Sequence, residues 1–95
     1  MPVGLLILQL HIPGCTSLKE KRSRLKPLLA RLHREFNIST CEMDHQDAWQ
    51  EAVIACALVS SDAQFARKSL HRVADWVESS WPDVTVVDDH LDVIS

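Results

Sequence analysis

The stretch VGLLILQLHIPGCTSLKE, residues 3–20, decides the architecture, because it holds a strand, a stop and the start of a helix in succession. Val3 to Ile12 is nearly continuously apolar: Leu6, Leu8, Leu10 and Ile12 keep one alternate face apolar, while Gln9 and His11 interrupt the other. Side chains alternate across a strand, so this pattern predicts a central strand with one core face and one partly covered face. Pro13-Gly14 ends it. Ser17, followed three residues later by Glu20, has the spacing of a capping box, in which each side chain satisfies a free N–H at a helix start. Leu18, Leu25, Leu28, Leu29, Leu32 and Phe36 then fall on one stripe, predicting a helix over 18–36.

Pro27 conflicts with that helix, since it lacks the N–H that would bond residue 23 and crowds the preceding turn. It lies opposite the leucine stripe, so the expectation is a distortion near Arg24 to Pro27, with two short helices as the alternative. Asn37 suits the helix end, and Ile38 to Asp44 reads as a second strand. Asp44 to Asp47 reads as a polar turn. The segment from Trp49 to Ser60 is a third, almost uniformly apolar strand. Ser61 with Gln64 repeats the capping spacing before a second helical stripe through Phe65, Ala66, Leu70, Val73, Trp76 and Val77. Trp81-Pro82 stops that helix. Val84 to Val93 is the last strand, with a bulge expected at Val86-Val87.

Strand, helix, strand, strand, helix, strand predicts an α+β ferredoxin-like βαββαβ sandwich, with a four-stranded antiparallel sheet in the order 4-1-3-2 and two helices on one face. The 95 residues support one hydrophobic core, so residues 1–95 are read as a single domain. This topology gathers His11, Pro13 to Arg22, Asp44 to Gln50 and Trp81-Pro82 at one end of the molecule.

Composition narrows the function classes. No apolar run reaches the roughly 20 residues of a membrane-spanning helix, and the apolar start has neither a basic leader nor a small-residue cleavage pattern, which predicts a cytoplasmic protein with no membrane partner. Cys15, Cys41 and Cys56 match no compact zinc pattern and are expected as reduced thiols, with a reactive Cys15 at a helix start as the alternative. The net charge of −3 conceals an asymmetry: residues 1–36 carry seven basic and two acidic side chains, residues 37–95 three and eleven. One element is therefore suited to an anion that the remainder repels.

The runs Leu10-His11-Ile12-Pro13-Gly14, Ser17-Leu18-Lys19-Glu20-Lys21-Arg22, Asp44-His45-Gln46-Asp47 with Trp49-Gln50, and Val59-Ser60-Ser61-Asp62 closely resemble the YlxP-like family, a bacterial group also called the domain of unknown function 503. The resemblance extends from Val3 to about Val93. It implies a ferredoxin-like fold. It also implies a ribosome-related role by association, since genes of the family often lie beside those for a translation initiation factor and a ribosome maturation factor. The resemblance brings no catalytic residues with it, and Pro27 departs from the family's usual polar residue at that helix position.

Candidate chemistry is sparse. His11, Asp44, His45 and Asp47 have metal-ligand types, but carboxylates in a turn ordinarily serve its own hydrogen bonds. Asp88, Asp89, His90 and Asp92 form a second acidic group, which strand alternation divides between two faces. Ser17 near His11 is the best nucleophile and base pair, and the capping role accounts for Ser17. With only Gly4 and Gly14, the chain has little material for a phosphate-cradling loop. No cofactor and no metal are expected.

The nucleic-acid reading rests on Lys19, Lys21 and Arg22 in the first turns of the helix, where free N–H groups and cations both suit phosphate. Basic residues there oppose the helix dipole, a cost that a bound anion offsets. His11, His45 and Gln46 are hydrogen-bonding candidates beside them. Trp49 and Trp81 either stack on bases or close the core. The outer sheet face, expected to carry Leu5, Ile7 and Gln9 of the first strand with Val53, Ala55 and Ala57 of the third or their alternates, lacks the aromatic pair of RNA-recognition domains. It is instead an apolar patch that predicts a homodimer or another protein partner. The leading expectation is thus a non-catalytic binding module for ribosomal RNA or the ribosome. A protein-interaction or homo-oligomerisation module is the alternative, and a small hydrolase a third.

Overall fold

A computed structural model describes residues 1–43 and 48–94. The chain forms β1 (Val3–His11), α1 (Leu18–Phe36), β2 (Ser39–Glu42), β3 (Glu51–Val59), α2 (Ala63–Ser80) and β4 (Thr85–Ile94). The sheet order is β2-β3-β1-β4 with every neighbouring pair antiparallel, which is the expected ferredoxin-like order read from the other edge. Alternation along β1 sorts its faces: Leu6, Leu8 and Leu10 are buried beneath the helices, while Leu5 and Ile7 on the other side are half-buried. Leu25, Leu28 and Leu32 of α1 and Leu70, Val73 and Val77 of α2 complete the core.

Half of the expected capping box forms at the start of α1, the Glu20 carboxylate accepting from Thr16 Oγ1 at 3.4 Å. Ser17 is extended, and its Oγ accepts from the Glu20 N–H at 3.0 Å. The helix ends on Asn37 in the left-handed region at φ 53°, and His33 Nδ1 donates to the Ile38 carbonyl at 2.7 Å, covering the turn into β2. Between these caps α1 runs unbroken through Pro27, whose exposed ring lies off the leucine stripe, so the two-helix alternative does not occur.

Several boundaries differ from expectation for local reasons. Ile38 is a buried core residue before β2, and pairing in β2 stops at Glu42 although the Met43 N–H still donates to the Val53 carbonyl at 2.8 Å. Asp62, not Ser61, caps α2: its carboxylate accepts from the Gln64 N–H at 3.0 Å, and Ser60 Oγ accepts from the Asp62 N–H at 3.1 Å. A carboxylate also suits the positive end of the helix better than a hydroxyl does. The bulge in β4 is present. Gln9 pairs with Asp88 and Leu10 with Val86, leaving Val87 as the extra residue.

Two close contacts seat the helices. A Cβ on Gly4 would come within 2.7 Å of Leu70 Cδ1, so α2 approaches β1 where no side chain intervenes. Trp76 makes an edge contact with Phe36 at 5.8 Å, stacks obliquely on Trp81 at 5.9 Å and lies under the Arg31 guanidinium at 5.6 Å. Among the described residues, no helix is long and apolar enough to cross a membrane.

Candidate nucleic-acid interface

The end of the sheet where β1 finishes is assembled as the topology requires. His11 stands opposite Glu51 of β3 and Thr85 of β4, and the Ile12 N–H donates to the Gln50 carbonyl at 2.8 Å, which extends the ladder past β1. Arg24 ties three segments together there: Nε and Nη2 bond the Asp83 carboxylate at 3.1 and 3.0 Å, Nη2 also reaches the Asp83 carbonyl, and Nη1 donates to the Pro13 carbonyl at 2.7 Å. The hydrogen bond to Asp83 raises the Arg24 pKa above its ordinary value, so this fork stays charged.

Lys21 departs from its expected role. It is 1% exposed, donates from Nζ to the Ala48 carbonyl at 3.2 Å and lies 3.7 Å from Glu42. A phosphate contact needs a movable, solvated ammonium, whereas this one is committed to the β2–β3 connection. Lys19 and Arg22 are exposed as expected. Lys26, not singled out from the sequence, joins them. Spacings of three and four residues put Lys19, Arg22 and Lys26 on one flank of α1, all exposed and without an ion-pair partner among the described residues. The other flank meets α2 and the connection into β4 through Arg31 and Arg24.

The remaining candidates divide. Trp49 is 51% exposed and does not close the core. Trp81 does pack against the core, with Nε1 buried and unbonded among the described residues. His11 is half-buried and borders two hollows: one of about 390 Å³ with Gln9, Glu51, Val53 and Val87, and one of about 260 Å³ with Ala48, Trp49 and Gln50. His45 and Gln46 lie outside the described residues, as do Asp44 and Asp47 of the metal candidate. Among the described residues no three His, Cys, Asp or Glu side chains are grouped for a metal. Ser17 is engaged as the helix cap. Cys15 is buried at 1% exposure, with its thiol directed to the Ser17 carbonyl, which removes the reactive-thiol alternative. Burial pushes the Cys56 thiol up to about 12, leaving Cys41 as the exposed thiol.

Comparison with known proteins agrees with this architecture. The model of the family described as "Protein of unknown function (DUF503)" matches residues 3–90. The chain belongs to this family. Within DUF503, the uncharacterized protein YlxP of Bacillus subtilis (strain 168) is 41% identical over 68 residues, covering 72% of this chain and 73% of that protein. Among solved structures, the cofactor-independent oxygenase SnoaB from Streptomyces nogalater superposes with a TM-score of 0.55 at 10% identity, over all of this chain and 93% of that one. The de novo designed protein Foldit4 gives 0.54 at 11% identity, over all of this chain and 98% of its own. At such identities these two establish that this DUF503 chain shares their fold, and nothing about its chemistry.

Proposed function

We propose that the chain is a non-catalytic, cytosolic binding module that holds structured RNA, ribosomal RNA first, along the basic flank of α1. The observation that carries this reading is the division of the helix cations. Lys21, Arg24 and Arg31 are spent on internal contacts, while Lys19, Arg22 and Lys26 project together into solvent. Three aligned cations on a chain of net charge −3 form a directional electrostatic site: the flank attracts phosphate and the acidic remainder disfavours other orientations. Exposed Trp49, set at the foot of the β2–β3 connection that Lys21 anchors, supplies a stacking surface for an unpaired base, with His11 beside it. The ribosomal setting follows the resemblance to the YlxP-like group, whose genes neighbour translation genes.

The test is a titration of the purified chain against fragments of structured ribosomal RNA across a range of salt, with heparin as a competing polyanion. Binding that falls with salt, yet survives heparin better than a random RNA of the same length does, supports RNA recognition. Equal displacement of both RNAs reduces the flank to general charge attraction.

A further inference from the structure

The sheet face away from the helices is divided by strand into large and small side chains. On β1 it presents Val3, Leu5 and Ile7; the residues beside them on β3 are Val59, Ala57 and Ala55. The outer edge on β4 is acidic, with Asp88, His90 and Asp92 in register with Gln9, Ile7 and Leu5, while the β2 edge carries uncharged Ser39 and Cys41. Leu5, Ile7, Ala55 and Ala57 are half-buried by their neighbours in the sheet alone, with no layer above them.

This pattern is self-complementary under one two-fold axis. An axis along the strands lays β1 of one copy over β3 of the other, so large side chains meet small ones, His11 meets Glu51, and the acidic β4 edge meets the neutral β2 edge. An axis across the strands lays β4 on β4, setting Asp88 and Asp92 against like charge. The available footprint is modest: the four strands, of nine, four, nine and ten residues, span about 500 Å² per copy before side-chain relief, at about the 1,000 Å² total that a specific interface needs.

We propose that this face docks a second copy of the chain, with Leu5 and Ile7 of each copy seated over the partner's Ala57 and the partner's Ala55. The helical layers then lie outermost, which places the two basic flanks on opposite outer faces of the pair.

Light scattering on the unmodified chain at tens of micromolar tests the proposal, with a mass twice the single-chain 10.7 kDa expected and dissociation on dilution. Ile7→Asp halves that mass while circular dichroism stays unchanged. The arrangement is read separately from His90→Cys, because position 90 and Cys41 share a row at opposite edges of the sheet, about 14 Å apart within one chain but opposed between copies. A bismaleimide too short for the intramolecular span links two copies covalently, and Cys41→Ser abolishes the product. A single-chain mass at every concentration overturns the proposal, as does a complex in which a different protein covers Leu5 and Ile7 in place of a second copy. So does a dimer indifferent to a folded Ile7→Asp variant, or a dimer of the His90→Cys chain that gives no cross-linked product.

Discussion

Lys21 and Ala48 are joined across 27 residues of sequence by a 3.2 Å hydrogen bond from the buried ammonium to the backbone carbonyl. This bond makes the first turn of α1 and the foot of the β2–β3 connection a single unit, with Glu42 as counter-charge 3.7 Å away. Trp49, the next residue, takes its position from that anchor.

Removing the anchor alters stability before it alters binding. Lys21→Met keeps most of the apolar stem but leaves the Ala48 carbonyl and Glu42 without their cation. Because Glu42 is partly solvated, the expected cost is about 2–3 kcal/mol, below the usual range for breaking a fully buried pair. Urea denaturation measures it, with Lys19→Met as the exposed control expected within about 0.5 kcal/mol of the starting chain.

Pro27→Ala gains stability. The helix is continuous there, and alanine restores the N–H that the Ser23 carbonyl lacks. The full difference between the two residues in a helix interior is about 3 kcal/mol, and relaxation around the native proline together with the freer unfolded chain reduces the gain to about 1–2 kcal/mol. A shift of the urea midpoint to higher concentration at constant slope is the expected result.

Alkaline pH weakens the fold through Cys56. Its thiol is held neutral by burial, with a pKa raised from 9.0 to about 12, so the unfolded chain releases this proton first. The thiol's contribution is complete below pH 9 and is lost between pH 9 and 12, at about 1.4 kcal/mol per pH unit. Cys56→Ala flattens this part of the stability profile, as chemical denaturation at stepped pH will read directly. It also lowers stability at neutral pH by leaving a small void.

The fold was legible in the sequence because its signals are local and agree with one another. Strand alternation in Val3–Ile12, the Ser17 cap and the disturbed alternation at Val86-Val87 each reappear as read. Ser61 failed as a cap because the neighbouring Asp62 offers a competing carboxylate, a choice that spacing does not resolve. The residue type of Lys21 suggests a solvated cation, but its position carries the opposite signal: it fills the leucine stripe between Leu18 and Leu25, so the helix turns it inward. Lys26 lies beyond the first turns of the helix, where the signal for phosphate at a helix start ends, yet its spacing from Arg22 continues the exposed flank. The burial of one tryptophan and the exposure of another depend on tertiary neighbours that composition does not reveal.

The central claim, that the exposed flank of α1 holds RNA, is tested most directly by comparing the Lys19→Ala/Arg22→Ala/Lys26→Ala triple variant with the starting chain in a salt-dependent titration against structured ribosomal RNA. Alanine is a good helix former and the three sites are exposed, so the variant keeps its fold, which circular dichroism verifies. The expected outcome is at least tenfold weaker binding at low salt and a logarithmic salt slope shallower by about 2–3, as three lost phosphate contacts require, while Lys21→Met leaves that slope unchanged. A folded triple variant with the affinity and salt slope of the starting chain contradicts the account.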